Sequence, residues 1–235
     1  MRAMKRRSFL KGMASVTVLS VSPLPVMMKN RDKWSAADTL KEGRPERKHH
    51  FAMVIVQDNC IGCRACEAAC KTAWKIPEGP ENYRTKVIYA SHTQSSNSRM
   101  TWLPVLCNQC DNAPCVKVCP TKASYKREED GIVMVDADKC IGCKTCMVAC
   151  PYEARYYDEE IKSVDKCTFC QPRLQNGQFP ACVEHCPMKV RYFGDLNDPK
   201  SAVSKILKKA VSYHVLKPEA GTLSNVFYTQ GVKEV

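Results

Sequence analysis

Sixteen cysteines stand among 235 residues, and they fall into four groups of four with none left over. The first group is Cys60, Cys63, Cys66 and Cys70, spaced C-x2-C-x2-C-x3-C. The second is Cys107, Cys110, Cys115 and Cys119, spaced C-x2-C-x4-C-x3-C and followed by Pro120. The third, Cys140, Cys143, Cys146 and Cys150, repeats the first spacing and is followed by Pro151. The fourth, Cys167, Cys170, Cys182 and Cys186, is spaced C-x2-C-x11-C-x3-C and ends before Pro187.

These spacings suit cubane iron–sulfur clusters, which need four thiolates converging on one centre. C-x2-C-x2-C wraps a short loop around three corners and leaves backbone N–H groups free to point at the sulfurs. The fourth cysteine falls on the next helical turn and reaches a second cluster, as in bacterial two-cluster ferredoxins. The following proline fixes φ and stops the segment from folding back. Zinc accepts C-x2-C pairs, but its sites join two such knuckles and do not need four tight quartets. Disulfides fit worse, because cysteines three apart in a tight loop pair poorly with each other. Four [4Fe–4S] clusters are therefore expected, one per quartet.

The chain repeats internally. CIGCRACEAAC (Cys60–Cys70) and CIGCKTCMVAC (Cys140–Cys150) are identical at seven of eleven positions, and CVKVCP at Cys115–Pro120 echoes CVEHCP at Cys182–Pro187. The groups alternate in kind, as in a duplicated unit that already held two cluster motifs. Hydrophobic residues make up 44% of the chain, cysteines included. Without the cysteines that is thin for one well-packed core, so the clusters themselves are expected to fill part of the interior.

The net charge of +12 invites a nucleic-acid reading. Six of the 36 basic residues lie within residues 1–30, which hold no acidic residue, leaving 30 basic against 24 acidic beyond. Four clusters at about −2 each, thiolates included, bring that remainder near neutrality. No basic stripe interleaved with aromatics stands out, and no nucleic-acid partner is expected. Nor does any run approach the roughly 20 apolar residues of a spanning helix. The start has Arg6-Arg7-Ser8-Phe9-Leu10-Lys11 ahead of a modest apolar stretch. Arg6, Arg7, Phe9 and Leu10 resemble a twin-arginine export signal, which implies export in the folded state with cofactor inserted. Residues 1–28 read as that signal segment. Residues 29–50 read as a polar linker in which His49 and His50 are solvated.

Elements must deliver these loops. Phe51–Val56 reads as a strand running into the first group. Ala123–Lys126 with Ile132–Val135, and Ala154–Tyr157 with Ile161–Val164, read as hairpins leading to the third and fourth groups. Val190–Phe193 reads as a further strand. Helices are expected to be short and to begin within the cysteine motifs. One longer helix is expected over Pro199–Ala210, with Asp198 as N-cap. The fold class is α+β: tandem ferredoxin-like domains, one inserted in the other. The outer domain takes 51–104 and 159–200, the inner one 105–158, and residues 201–235 form a C-terminal helix and tail.

At this point the chain resembles the four-cluster electron-transfer subunits of the molybdopterin oxidoreductase superfamily. The carrying segments include Cys107–Pro120 (CNQCDNAPCVKVCP), Ala149-Cys150-Pro151-Tyr152, Asp165–Cys170 (DKCTFC) and Pro180–Glu184 (PACVE), and the resemblance covers about residues 50–230. It implies that groups one and four share clusters, as do two and three. The first cluster would take Cys60, Cys63, Cys66 and Cys186; the second Cys167, Cys170, Cys182 and Cys70. The third would take Cys107, Cys110, Cys115 and Cys150; the fourth Cys140, Cys143, Cys146 and Cys119. It also implies two partners: a molybdopterin catalytic subunit and a quinol-oxidising membrane anchor, at the periplasmic face. A multihaem cytochrome nitrite or sulfite reductase is the alternative terminal enzyme.

The chain itself shows no nucleophile elbow, phosphate loop or dinucleotide fingerprint. No catalytic residue and no small-molecule substrate are expected; the chain reads as a wire. Lys71, Lys117, Lys144 and Lys166 flank ligands and are expected to be solvated, with the raising of nearby cluster potentials as the alternative. His185 is expected at the surface, and Trp74 and Trp102 in packing roles. The cysteine-free interval Lys71–Leu106, with its polar stretch Ser91–Ser98, is either a partner-docking insertion or a tolerated surface one.

Overall fold

The FAMVIV run of Phe51–Val56 forms strand β1, and all of it but Phe51 is buried. A continuous apolar run of this kind needs cover on both faces, and the alternation of its side chains divides the molecule. Met53 and Ile55 join the core that holds Cys66, Cys107, Cys167 and Cys182. Ala52 and Val54 face the other way, into a cysteine-free core with Val203, Ile206, Leu207 and Phe227. One strand thus separates the cysteine side from an ordinary apolar core.

The computed structural model describes residues 43–91 and 100–229. The signal segment, residues 29–42 of the linker and the stretch 92–99 lie outside the described residues, as do Arg6, Arg7, Phe9 and Leu10. After β1 come α1 (Ala65–Trp74), β2 (Thr85–Ser91), β3 (Met100–Leu106), α2 (Pro114–Lys117), β4 (Ser124–Lys126) and β5 (Val133–Val135). Then follow α3 (Thr145–Val148), β6 (Arg155–Asp158), β7 (Ser163–Lys166), α4 (Gln171–Gln175), α5 (Ala181–Glu184) and β8 (Arg191–Asp195). The chain closes with α6 (Ala202–Lys209), β9 (Tyr213–His214) and β10 (Val226–Thr229). The central sheet runs β8-β1-β10-β9, with β10 parallel to β1 and β8 antiparallel to it. The other strands form three hairpins, β2–β3, β4–β5 and β6–β7.

Three expectations are corrected. Residues 201–229 hold more than a helix and tail: β10 sits between β1 and β9, and Val226, Phe227, Tyr228 and Thr229 are all buried. Its Val226 and Tyr228 complete the cysteine-side core, while Phe227 completes the other. The C-terminal helix starts later than expected, because Ser201 rather than Asp198 caps it, its hydroxyl accepting from the Ser204 N–H at 3.3 Å. Asp198 instead caps the preceding turn at the Lys200 N–H.

The third correction is the linker. Residues 43–50 dock through their cations, not through apolar contact. Asp111, whose side chain is 1% exposed, receives Arg44 at 2.7 Å, Arg47 at 2.8 Å and Lys126 at 2.9 Å. His50 is 4% exposed rather than solvated, and its Nε2 lies 2.8 Å from Asn225 Oδ1. Arg44 also donates to the Ser224 carbonyl at 2.8 Å. A buried carboxylate needs such partners to be tolerated; the cations and histidine hold Asp111 well below the usual carboxylate range against the upward push of burial. His49 pairs with Asp195 at 2.8 Å and stays half exposed.

Candidate iron–sulfur sites

The duplication seen in the sequence is also a duplication of backbone conformations. In the first motif Gly62 and Arg64 take φ of +73° and +59°; in the third, Gly142 and Lys144 take +66° and +59°. Left-handed residues curl each loop back on itself, and at Gly62 glycine is required on two counts. A Cβ there would lie 2.4 Å from the Trp102 ring, and the φ itself disfavours any other residue. A second pattern follows Cys119, Cys150 and Cys186. The third residue on, Lys122, Glu153 or Lys189, is left-handed in every case. That turn brings a backbone N–H onto the cysteine sulfur: Ser124 onto Cys119 at 3.4 Å and Val190 onto Cys186 at 3.3 Å.

The structure brings two of the expected quartets together around cavities. Cys60, Cys63, Cys66 and Cys186 line one cavity. Cys107, Cys110, Cys115 and Cys150 line another. Burial and the neighbouring Cys182 and Cys170 push the Cys70 thiol up to about 12. Cys167, also buried, is raised by that burial and by Cys170, Cys70, Cys107 and Cys182. Cys119 acts on both Cys140 and Cys146, and Cys143 stands exposed on the same loop.

Four times the chain carries two thiols, four residues apart, that the expected pairing assigns to neighbouring sites: Cys66 and Cys70, both within α1, and Cys115 and Cys119, Cys146 and Cys150, Cys182 and Cys186, where the second thiol lies two residues past the end of α2, α3 or α5. Cys107 and Cys167 adjoin between the second and third sites. With the pairing that the resemblance implies, the four sites form a succession, first to fourth. Helix α1 packs on α5, and α2 on α3.

The donor chemistry fits four-iron cubanes. Each site offers four soft thiolates. Among the described residues, no three of His, Cys, Asp and Glu are grouped to hold a single metal ion. Buried guanidinium atoms Arg155 Nε and Nη1 and Arg191 Nη1 lack hydrogen-bond partners. Cations left so poorly neutralised call for negative charge beside them.

Residues flanking the ligands differ in fate. Lys71 pairs with exposed Glu78, Lys117 contacts Asn112 and Lys144 lies 4.1 Å from the Tyr157 ring centroid. Lys166 overturns the expectation of a solvated lysine: it is 0% exposed. Its ammonium donates to the carbonyls of Val133 and Cys167, the latter at 2.8 Å. Burial pulls its pKa down, opposed by Cys107 and Cys167. His185 is exposed, its ring nitrogen 3.0 Å from the Ala181 carbonyl. Trp102 packs on Gly62 as expected of a packing residue. Trp74 does more than pack, donating its indole N–H to Cys170 Sγ at 3.3 Å.

Sequence reasoning passed over Arg155 and Arg191, which are 6% and 2% exposed. Arg191 donates to Cys66 Sγ at 3.4 Å and to the Thr85 hydroxyl at 2.8 Å, and Arg155 donates to the Ser124 hydroxyl at 2.8 Å. The repeat carried the signal: Ala154-Arg155-Tyr156 and Val190-Arg191-Tyr192 place arginine five residues after Cys150 and Cys186.

Two family models match the sequence: a 4Fe–4S dicluster domain over residues 98–196 and a 4Fe–4S binding domain over residues 51–72. The chain is 41% identical to the B component of tetrathionate reductase from Salmonella typhimurium, over 95% of this chain and 87% of that one. It is 43% identical to the B component of polysulfide reductase from Wolinella succinogenes, over 75% and 92%. It is 42% identical to protein NrfC of Escherichia coli, over 69% and 73%.

Proposed function

This protein belongs to the iron–sulfur electron-transfer subunits of the molybdopterin oxidoreductase superfamily, and from that premise we propose its place in a respiratory complex. It carries four [4Fe–4S] clusters, which supply one-electron redox chemistry when bound. In this reading the ligands are four quartets, Cys60/Cys63/Cys66/Cys186, Cys70/Cys167/Cys170/Cys182, Cys107/Cys110/Cys115/Cys150 and Cys119/Cys140/Cys143/Cys146, of which the first and third each line one cavity. The inner ferredoxin unit is then nested within the outer one, which the packing of α1 on α5 and α2 on α3 supports. The chain contributes no catalysis of its own.

The observation that carries the reading is the succession of quartets, because a line of one-electron sites has use only between two redox partners. Cys63 and Cys143, in the first and fourth sites, are exposed. Each stands two residues from an exposed isoleucine, Ile61 at 58% and Ile141 at 66%. Those ends suit a quinol-oxidising membrane anchor on one side and a molybdopterin reductase of the tetrathionate, polysulfide or thiosulfate type on the other. The Arg6-Arg7-Ser8-Phe9-Leu10 start supports folded export to the periplasm. The likeness to protein NrfC favours a second reading of the acceptor only, a multihaem cytochrome in place of the molybdopterin subunit.

Metal analysis of the native complex, extracted anaerobically with this chain tagged, tests both. Four clusters require about 16 iron and 16 acid-labile sulfide per chain. Molybdenum without covalent haem identifies the first partner, and abundant haem without molybdenum the second. Little iron in strictly anaerobic material sinks the wire altogether.

A further inference from the structure

Arg155, Lys166 and Arg191 are buried cations, and among the described residues none of them forms a salt bridge with a carboxylate. Arg84 offers the contrast: it too is shielded from solvent, but it forks onto Asp165 at 2.8 and 2.9 Å and is neutralised there. Burying an unpaired cation is costly, so each of the three needs a counter-charge that no carboxylate supplies.

Their positions are not scattered. Arg191 faces Cys66 and Cys186 of the first site and Cys182 of the second. Lys166 faces Cys167 of the second site and Cys107 and Cys115 of the third. Arg155 faces Cys115 and Cys107 of the third site and Cys146 of the fourth. Three cations thus occupy the three junctions of a four-site succession, one at each. Two of them stand at equivalent places in the repeat, five residues beyond Cys186 and Cys150. The equivalent place after Cys119 holds neutral Ser124, which accepts from Arg155 instead.

We propose that Arg191, Lys166 and Arg155 are the shared counter-charges of adjoining clusters, positioning residues that raise the potentials of both flanking sites together. The inference rests on the electron-transfer reading above. A cation near a cluster favours its more negative, reduced form, and in a poorly screened interior that attraction is strong. The second and third sites are the most deeply buried, with seven of their eight thiols buried and none exposed. Burial by itself opposes added negative charge there and would turn the middle of the line into an uphill step. Those two sites are also the ones flanked by a cation on both sides. Because each cation faces both members of its junction, one electron leaving the first member and entering the second keeps much the same attraction. The hop is eased without a built-in direction.

The test is potentiometric titration, followed by electron paramagnetic resonance, of the anaerobically purified complex. It compares Arg191→Gln, Lys166→Met and Arg155→Gln with Arg191→Lys, Lys166→Arg and Arg155→Lys. Each neutral variant is expected to keep its iron and sulfide. It should lower the midpoints of its two flanking clusters by at least a tenfold change in the oxidised-to-reduced ratio, which is 59 mV for a one-electron couple. Clusters away from the junction should stay within threefold, as should every cluster in the charge-retaining variants. Loading lost in a neutral variant but kept in its charge-retaining partner also supports the counter-charge role. Fully loaded neutral variants with unmoved potentials, or with a uniform shift of all four clusters, overturn it. So does loading lost equally with and without the charge, which reduces the side chains to packing. A wild-type complex without iron would instead overturn the electron-transfer reading beneath it.

Discussion

At the scale of single residues, charge in this molecule sits where apolar atoms would normally go. Asp111 shows the rule from the anionic side. It follows Cys110 directly, and its carboxylate holds Arg44, Arg47 and Lys126 within 2.9 Å, tying the segment before β1 to the β4–β5 hairpin. Asp111→Asn keeps the shape but leaves buried cations unpaired, so it is expected to cost about 3–5 kcal/mol, the scale for breaking a buried ion pair. Thermal unfolding of the loaded protein would read this as a large drop in midpoint. The sign of the pH effect follows from the lowered pKa. The contribution is fully present above the carboxyl's ordinary value of 3.8 and fades only as pH falls below it toward the depressed native value. An Asp111→Asn protein should therefore lose this part of its acid dependence.

At the scale of elements, the β2–β3 hairpin gives the interval after Lys71 a physical purpose. Its Trp102 ring covers Gly62, and its Val87 N–H donates to Glu67 on α1. The hairpin therefore braces the loop that presents Cys60, Cys63 and Cys66. Gly62→Ala would place a methyl group on Trp102 at a left-handed φ, a strain on the order of 1–3 kcal/mol. The expected outcome is weaker retention of iron at the first site only, seen as loss of one cluster signal with the other three intact. Equal loss from all four would mean that the loop does not act locally. The polar stretch Ser91–Ser98 at the tip of this hairpin, the candidate docking segment, falls outside the described residues from position 92 on. Deleting that stretch and finding full complex assembly would rule the docking idea out.

At the scale of the whole molecule, the two ends of the described residues meet on one sheet. β10 lies parallel to β1 and contributes Tyr228, whose hydroxyl donates to the Pro104 carbonyl at 2.9 Å, while Asn225 donates to the Gln109 carbonyl at 2.7 Å. Truncation after Gly221 removes a central strand and the partners of Asn108 and Gln109 next to the third site. It is expected to abolish folding and cluster loading, with iron content and circular dichroism as the readout. Retention of about 16 iron per truncated chain, the four-cluster content, would show that the sheet is dispensable.

The sequence by itself determined the chemistry. Thiols in fours, at spacings that a loop and one helical turn can satisfy, specify iron–sulfur sites because the motif and the ligand geometry are both local. The FAMVIV strand and the two short hairpins were legible for the same reason: apolar alternation and a turn at Glu128–Gly131 act over a few residues. β3 was hidden by Pro104, which ordinarily argues against a strand and is accommodated here opposite Val87 in a two-stranded pairing. β10 was hidden because Val226–Thr229 is only four residues long and its partner β1 lies some 170 positions earlier. The fate of the charged residues could be decided only in three dimensions. Lys71, Lys117, Lys144 and Lys166 all flank cysteines in the sequence, yet only Lys166 is wholly enclosed, and Arg44, Arg47 and His50 read as linker until Asp111 is brought against them. Burial and counter-charge belong to the packing of distant segments, and no local pattern carries them.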